Sequence, residues 1–160
     1  MPFKIRRATK KDIPFLLACE DGPNTSHVHG DTAEIHAHNL QNSDCIYLIA
    51  EDIQSHPLGF VLLVHTDAIR TELRRMIIAT PNQGVGKAFL LQVIEETFKT
   101  QTEIIWLDVY EENTRAMHVY RALGFEETYR EPSPKDPRKT LVYMALEQTD
   151  QQRPLFKKPQ

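Results

Sequence analysis

The sequence predicts an α/β fold, a central mixed β-sheet of about six or seven strands with about four helices on its faces. Three observations carry that prediction. Apolar, β-branched runs of strand length recur between stretches of helical period. Two of those runs, Cys45–Glu51 and Gly59–His65, flank the turn-forming residues 52–57 and read as a hairpin. A third, Glu72–Ala79, ends in a glycine turn that opens a long helical stretch.

Each element follows in order. Phe3–Arg6 alternates and reads as the first strand. Thr9-Lys10-Lys11-Asp12 has the form of a capping box with Asp in the place of Glu. It opens a helix through Phe15, Leu16, Leu17 and Ala18, which Gly22-Pro23-Asn24 ends. Residues 24–30 are polar and loop-like, and a second helix runs from Asp31 to about Leu40. The hairpin and the third run come next. The long helix spans about Gly84 to Lys99, and Glu103–Val109 is a buried strand. A last helix covers about Thr114 to Leu123, with Gly124 as its stop. Phe125 begins a strand to about Arg130, Pro132, Pro134 and Pro137 mark a loop, and Thr140–Leu146 is the final strand. The reading is one domain over residues 1–147 and a polar tail, 148–160, expected to be disordered.

Composition narrows the function. A chain of 160 residues can bury a core of its own. A net charge of −3 leaves no basic footprint for nucleic acid. No apolar run approaches the roughly 18 residues of a membrane span, and Met1–Arg7 is too short in its apolar part for a signal peptide. A cytoplasmic protein, monomeric or homodimeric, is expected. Cys19 and Cys45 both lie in apolar stretches and read as reduced core residues rather than a disulfide framework.

The segment from Ala79 to Ala88 carries the strongest chemical signal. A strand, a glycine turn and a helix together make an anion site, because the first helical amides have no carbonyl partner and the helix dipole adds positive charge there. Gly84 and Gly86 lack Cβ, so a phosphate can approach the backbone. Asn82, Gln83, Gly84, Val85, Gly86, Lys87 and Ala88 are the candidate contacts. Spacing tests the known turn types. A nucleotide-triphosphate loop fails twice, with Pro81 at its first glycine and Ala88 at its magnesium-binding hydroxyl. A dinucleotide turn fails at Phe89, where close helix–strand packing needs a glycine. An acyl-coenzyme A turn, roughly Q/R-x-x-G-x-G/A, fits at Gly84-x-Gly86 and departs at Pro81. A glycine-rich connection without a ligand is the plain alternative.

A second motif runs from Leu107 to Phe125: a strand, then Asn113-x-x-Ala116, then Tyr120, then Gly124-Phe125. It resembles the acyl-coenzyme A motif of the GNAT superfamily of N-acetyltransferases, and the chain resembles small bacterial members from residue 3 to about 147. Gly86 lies 27 residues before Asn113, in the order that family has.

The resemblance implies direct acetyl transfer from acetyl-CoA to a primary amine in a ternary complex. The acceptor is a small molecule or a peptide. The pantetheine arm would lie between Glu72–Ala79 and Glu103–Val109. A backbone amide near Met76, Ile77 or Ile78 would polarise the thioester carbonyl. Tyr120 would be the general acid, since a phenol of pKa about 10 keeps its proton at neutral pH. Asn113 would bond the pantetheine arm, cap its own helix, or both. Either Glu72 or Asp108 would be the general base, unless the amine loses its proton to solvent. In an apolar cleft either carboxylate would hold a proton more readily. Lys87 would meet a phosphate or point to solvent, and Arg115 would contact the adenosine end. A catalytically silent acyl-CoA-binding module of the same fold is the alternative.

The histidines do not read as a metal site. His27-x-His29 and His36-x-His38 lack the helical i, i+4 spacing of a zinc enzyme, and no cysteine pair joins them. They are expected on a polar loop and an exposed helix face. They lie in the region that the resemblance sets over the acceptor.

Overall fold

The computed structural model describes residues 2–22, 30–79 and 84–148. The polar loop with His27 and His29, the turn residues Pro81, Asn82 and Gln83, and residues 149–160 of the tail lie outside the described residues. Strands β1 (Lys4–Arg7), β2 (Cys45–Glu51), β3 (Pro57–His65), β4 (Arg70–Ile78), β5 (Ile104–Tyr110), β6 (Glu126–Pro132) and β7 (Thr140–Glu147) form one sheet in the order β1-β2-β3-β4-β5-β7-β6. Helices α1 (Ile13–Glu20), α2 (Ala33–Gln41), α3 (Val85–Phe98) and α4 (Thr114–Ala122) complete the fold. The sheet is mixed: β4 and β5 are parallel, while β1–β2, β2–β3, β5–β7 and β6–β7 are antiparallel. The seven strands and four helices are those the sequence predicts, with ends moved by one or two residues in most cases. The last loop is shorter than its prolines suggest, because Pro132 closes β6, an edge strand where a missing N–H is tolerated.

The chain divides into two compact units. The first comprises Met1–Val64 and Leu73–Leu90. The predicted hairpin is its centre, with Cys45 opposite Val64 and Ile49 opposite Phe60. Leu16 of α1 and Tyr47, Ile49, Phe60 and Leu62 of the hairpin are wholly or almost wholly buried, each such side chain contributing about 1.5–3 kcal/mol by its removal from water. The capping box is present. Thr9 N–H donates to Asp12 Oδ2 at 2.7 Å and Lys11 N–H donates to Thr9 Oγ1 at 3.3 Å. It opens a single 3-10 turn, Lys10–Asp12, that leads into α1. Arg6 then bridges Asp12 (2.8 Å) and Glu51 (2.8 Å), tying that turn to the first two strands. Cys19 and Cys45 are buried free thiols, and burial pushes Cys19 up to about 12.

Gly59 fixes the spacing of β3 and β4. A Cβ there would stand 2.5 Å from the Ile77 carbonyl oxygen, so no other residue fits without moving the β4 backbone. Ala79 N–H also donates to Leu58 O at 2.8 Å.

The second unit comprises His65–Glu72 and Leu91–Gln160. Along β5, Ile105, Leu107 and Val109 are buried, and each faces a buried residue of β7: Leu146, Met144 and Val142. The end of α4 packs on this face, where Gly124 lies against Leu146. Trp106 and Asp108 alternate with those residues and point to the opposite face, alongside Tyr143 of β7.

Candidate active site

Helix α4 holds its tyrosine through both of its ends. At the N-terminus, Asn113 Oδ1 accepts from the Ala116 N–H at 3.3 Å, the capping role expected of it. At the C-terminus, Gly124 has φ +102°, which a side chain opposes and glycine allows. That backbone turn lets Phe125 N–H donate to Tyr120 O at 3.0 Å and Gly124 N–H donate to Arg121 O at 3.0 Å. The pair of bonds is a Schellman motif. Its accompanying apolar contact is Tyr120 against Phe125, with ring centroids 5.7 Å apart at 57°. The Tyr-x-x-x-Gly-Phe spacing is therefore a clamp on the Tyr120 ring. Among the described residues, nothing hydrogen-bonds the Tyr120 hydroxyl. Burial, and then the charge of Asp108, push that phenol up to about 12. It keeps its proton across the neutral range.

Asp108 and Glu72 differ in setting. Asp108 is exposed on β5, opposite Tyr143, and its charge reaches Tyr120. Its neighbours Leu107 and Val109 are buried on the other side of the sheet. Glu72 is buried on β4, beside Trp106 in the parallel ladder. Arg75 of the same strand pairs with Glu20 and Asp31.

In the first unit, Gly84 has φ +75°, and an added Cβ would meet nothing within 4 Å among the described residues. A Cβ on Gly86 would make only an ordinary contact, 3.6 Å from Ile78 Cγ1. Packing among the described residues leaves both backbones open, which suits a pyrophosphate drawn to the first amides of the 14-residue α3. Val85 is buried, while Lys87 and Ala88 are exposed. Ile77 is buried in β4 and Met76 and Ile78 are half-buried, an apolar stretch suited to a thioester arm. Phe89 is fully buried against Phe3 (6.1 Å between rings) and occupies the space a dinucleotide turn would need.

His36 corrects the expectation of an exposed helix face. It is fully buried, while His38 is exposed, because residues two apart on a helix point in different directions. Its Nε2 lies 2.7 Å from Glu20 Oε1 and its Nδ1 lies 2.7 Å from the Tyr47 hydroxyl. Asn39 Nδ2 donates to the same hydroxyl at 3.2 Å. A carboxylate only accepts, so Nε2 carries a proton, and in the neutral imidazole Tyr47 then donates to Nδ1. Arg75 Nη1 closes the network on Glu20 Oε2 (2.7 Å) and Asp31 Oδ2 (2.9 Å). Ligand atoms of Glu20, Asp31 and His36 come within 4.8 Å of one another, as a metal site would need. The Arg75 guanidinium takes the place of a cation there.

Similarity to known proteins decides the family. Residues 14–125 match the profile of the acetyltransferase (GNAT) family. The chain belongs to the GNAT family. No curated protein is similar to it in sequence. Among solved structures, it is similar to the ribosomal-protein-S18-alanine N-acetyltransferase of Escherichia coli, with TM-score 0.75, 21% identity and coverage of 91% of this chain and 94% of that one. It is also similar to a single-residue variant of the spermidine N-acetyltransferase of Vibrio cholerae, with TM-score 0.76, 19% identity and 94% of each chain covered. A dodecameric form of that spermidine enzyme gives TM-score 0.78 at 17% identity, covering 99% of this chain and 98% of that one. The GNAT fold and an acyltransferase activity follow, with acetyl-CoA the cosubstrate that the family uses.

Proposed function

We propose that residues 1–147 act as one GNAT domain that moves an acetyl group from acetyl-CoA to a primary amine by direct attack in a ternary complex, with Tyr120 as general acid. The observation that carries this is Tyr120 itself: its ring is clamped by the Gly124 turn and its hydroxyl, with a pKa of about 12, is left for an external partner. The family match runs through both units, which supports treating them as one domain.

The chemistry assigns each residue a task. The neutral amine attacks the thioester carbonyl and the C–N bond forms. The C–S bond breaks, and the departing sulfur takes the Tyr120 proton. Asp108 or Glu72, directly or through water, takes the proton that the amine loses, and solvent restores the tyrosine. The same burial that disfavours a phenolate disfavours a thiolate, so burial does not by itself widen the gap between the two acids. Backbone amides near Met76, Ile77 and Ile78 would stabilise the carbonyl oxygen. Gly84, Val85, Gly86, Lys87 and Ala88, with Asn82 and Gln83, would hold the pyrophosphate, and Asn113 the pantetheine arm. The solved neighbours are named for a protein alanine and for spermidine, both amines. A small-molecule or peptide amine is the acceptor proposed here, in a cytoplasmic setting. Among the described residues no helix is long and apolar enough to cross a membrane.

The test is acetyl-CoA turnover with a broad panel of amines, beside calorimetric binding of acetyl-CoA. Turnover with at least one amine is expected. Binding without turnover on any amine would favour the silent acyl-CoA-binding module. Gly86→Glu is expected to abolish acetyl-CoA binding through bulk and like charge, and normal binding by that variant would refute the phosphate site.

A further inference from the structure

Trp106, Tyr143 and Tyr129 lie side by side across three strands of the second unit. Their positions follow from register. Tyr129 of β6 stands opposite Tyr143 of β7, and Trp106 of β5 stands diagonal to Tyr143, two residues along the ladder and so on the same face. The Tyr129 and Tyr143 rings stack at 4.2 Å and 8°, and the Trp106 and Tyr143 rings at 6.2 Å and 22°. Ala145, not a large residue, stands opposite Trp106. The small side chain leaves a hollow beside the rings, a cavity of about 420 Å³ that Trp106, Tyr129, Tyr143, Ile104, Arg70 and Glu147 help to line. That volume lies in the range of small-molecule sites.

Two of the rings are held at their polar ends by the protein itself. Trp106 Nε1–H donates to Thr66 Oγ1 at 3.0 Å, and the Tyr143 hydroxyl donates to Glu131 Oε1 at 2.6 Å. Those hydrogen-bonding groups are spent internally, and since Tyr129 covers a face of Tyr143, the π surface offered to the cavity is chiefly that of Trp106. Tyr129 is 53% exposed, a large apolar ring left open to water on an edge strand. The charge around the rings is mainly negative: Glu147 lines the cavity, Glu131 holds Tyr143, and Asp108 stands opposite Tyr143 in the ladder. One cation, Arg70, also lines it, and its guanidinium is bound to Asp67 at 2.7 Å. Aromatic faces carry negative quadrupole charge and attract cations, most strongly at Trp.

We infer that this aromatic hollow on the β5–β7–β6 face is a binding site for an organic cation of the alkylammonium class. The site makes no use of Tyr120 or the glycine turn, and it stands whether or not the proposed transfer reaction does. The cation would rest on the Trp106 ring beside the stacked Tyr143–Tyr129 pair, and Glu147 would supply the opposing charge at the rim.

The chain reports on this site directly, because Trp106 is its single tryptophan. The full-length protein, without acetyl-CoA, is titrated with choline and with the uncharged alcohol in which carbon replaces the choline nitrogen, and tryptophan fluorescence is read. A saturable change with choline is expected, with the neutral isostere at least tenfold weaker. Tyr129→Ala should weaken choline at least fivefold, and an open edge position makes that variant safe for folding. Glu147→Gln should weaken it two- to threefold. No saturable response from protein whose circular dichroism is native overturns the proposal, and so does equal binding of the isostere or an unchanged affinity in Tyr129→Ala. A Trp106 signal that instead tracks protein concentration and is insensitive to choline would mean that a second copy covers the face, and would also overturn it.

Discussion

Tyr47 is buried and Tyr120 half-buried, and both have raised phenol pKa values, with desolvation as the first cause in each. Their surroundings nevertheless differ in kind. Tyr47 sits inside a closed network, donating to His36 and accepting from Asn39. Tyr120 is gripped by its ring and by the backbone turn after it, and among the described residues its hydroxyl is bonded to nothing. A raised pKa therefore does not distinguish a structural tyrosine from a chemical one. The state of the hydroxyl does. A buried donor that is already spent adds stability and specificity, whereas one that is positioned but unspent is available to a substrate.

The sharpest way to break that contrast is to remove each hydroxyl in turn. Tyr120→Phe is expected to lower kcat by about 10²- to 10⁴-fold, the span usual for a general acid, with acetyl-CoA affinity near normal and little change in melting temperature. Tyr47→Phe leaves His36 Nδ1 and the Asn39 amide short of a partner, and should destabilise the protein by about 1–3 kcal/mol with kcat almost unchanged. Steady-state kinetics and chemical denaturation on both variants decide it. Loss of turnover in Tyr47→Phe at unchanged stability would erase the distinction.

Arg75 tests the closed network from its other end. Its side chain is 9% exposed and pairs with both Glu20 and Asp31. Arg75→Met would strand a buried Glu20 carboxylate with His36 as its only remaining side-chain partner among those described here, at a cost of about 3–5 kcal/mol. Denaturant midpoints measure this. A neutral result would mean that the network is solvated in solution.

Gly124→Ala sharpens the other half. Its φ of +102° opposes any Cβ, and the new methyl would sit 3.2 Å from Leu146 Cδ1. A loss of about 1–2 kcal/mol is expected from the backbone alone. The informative readout is kinetic: if the turn aims Tyr120, kcat falls more than the stability loss explains, while acetyl-CoA affinity holds. A stable variant with full kcat would reduce the Schellman turn to a helix stop.

What could be read from the sequence follows the reach of the interactions involved. Strands, helices and the two motifs are set by local period and turn chemistry, and those were readable. The clamp on Tyr120 is local too: a large residue four positions before Gly124, followed by Phe125, is the sequence form of a Schellman end. The burial of His36 is not legible in the sequence because its partners come from α1 and β2, 16 and 11 residues away, and an i, i+2 histidine spacing says nothing of them. The aromatic hollow was out of reach for a further reason. Which residue of β6 faces Tyr143 depends on a register shift between Glu127 and Tyr129, and that shift exists only in the paired sheet.

Asp108 offers the smallest effect and the finest discrimination. It is exposed, yet its charge contributes to the raised pKa of both Tyr120 and Tyr143. A negative neighbour disfavours the phenolate, so removing it must lower both values. Asp108→Asn is therefore expected to bring Tyr120 down from about 12, by only part of the shift because burial is the larger cause. Phenolate absorbance measured against pH, with Tyr120→Phe and Tyr143→Phe to assign the two groups, reads this directly. The same variant tests the base. Rate falls at low pH as a base gains its proton, so that acidic limb should vanish in Asp108→Asn or in Glu72→Gln, whichever removes the base, and persist in the other. If the limb persists in both variants while Tyr120 shifts downward in Asp108→Asn, then Asp108 tunes the acid without acting as the base, and the amine gives its proton to solvent.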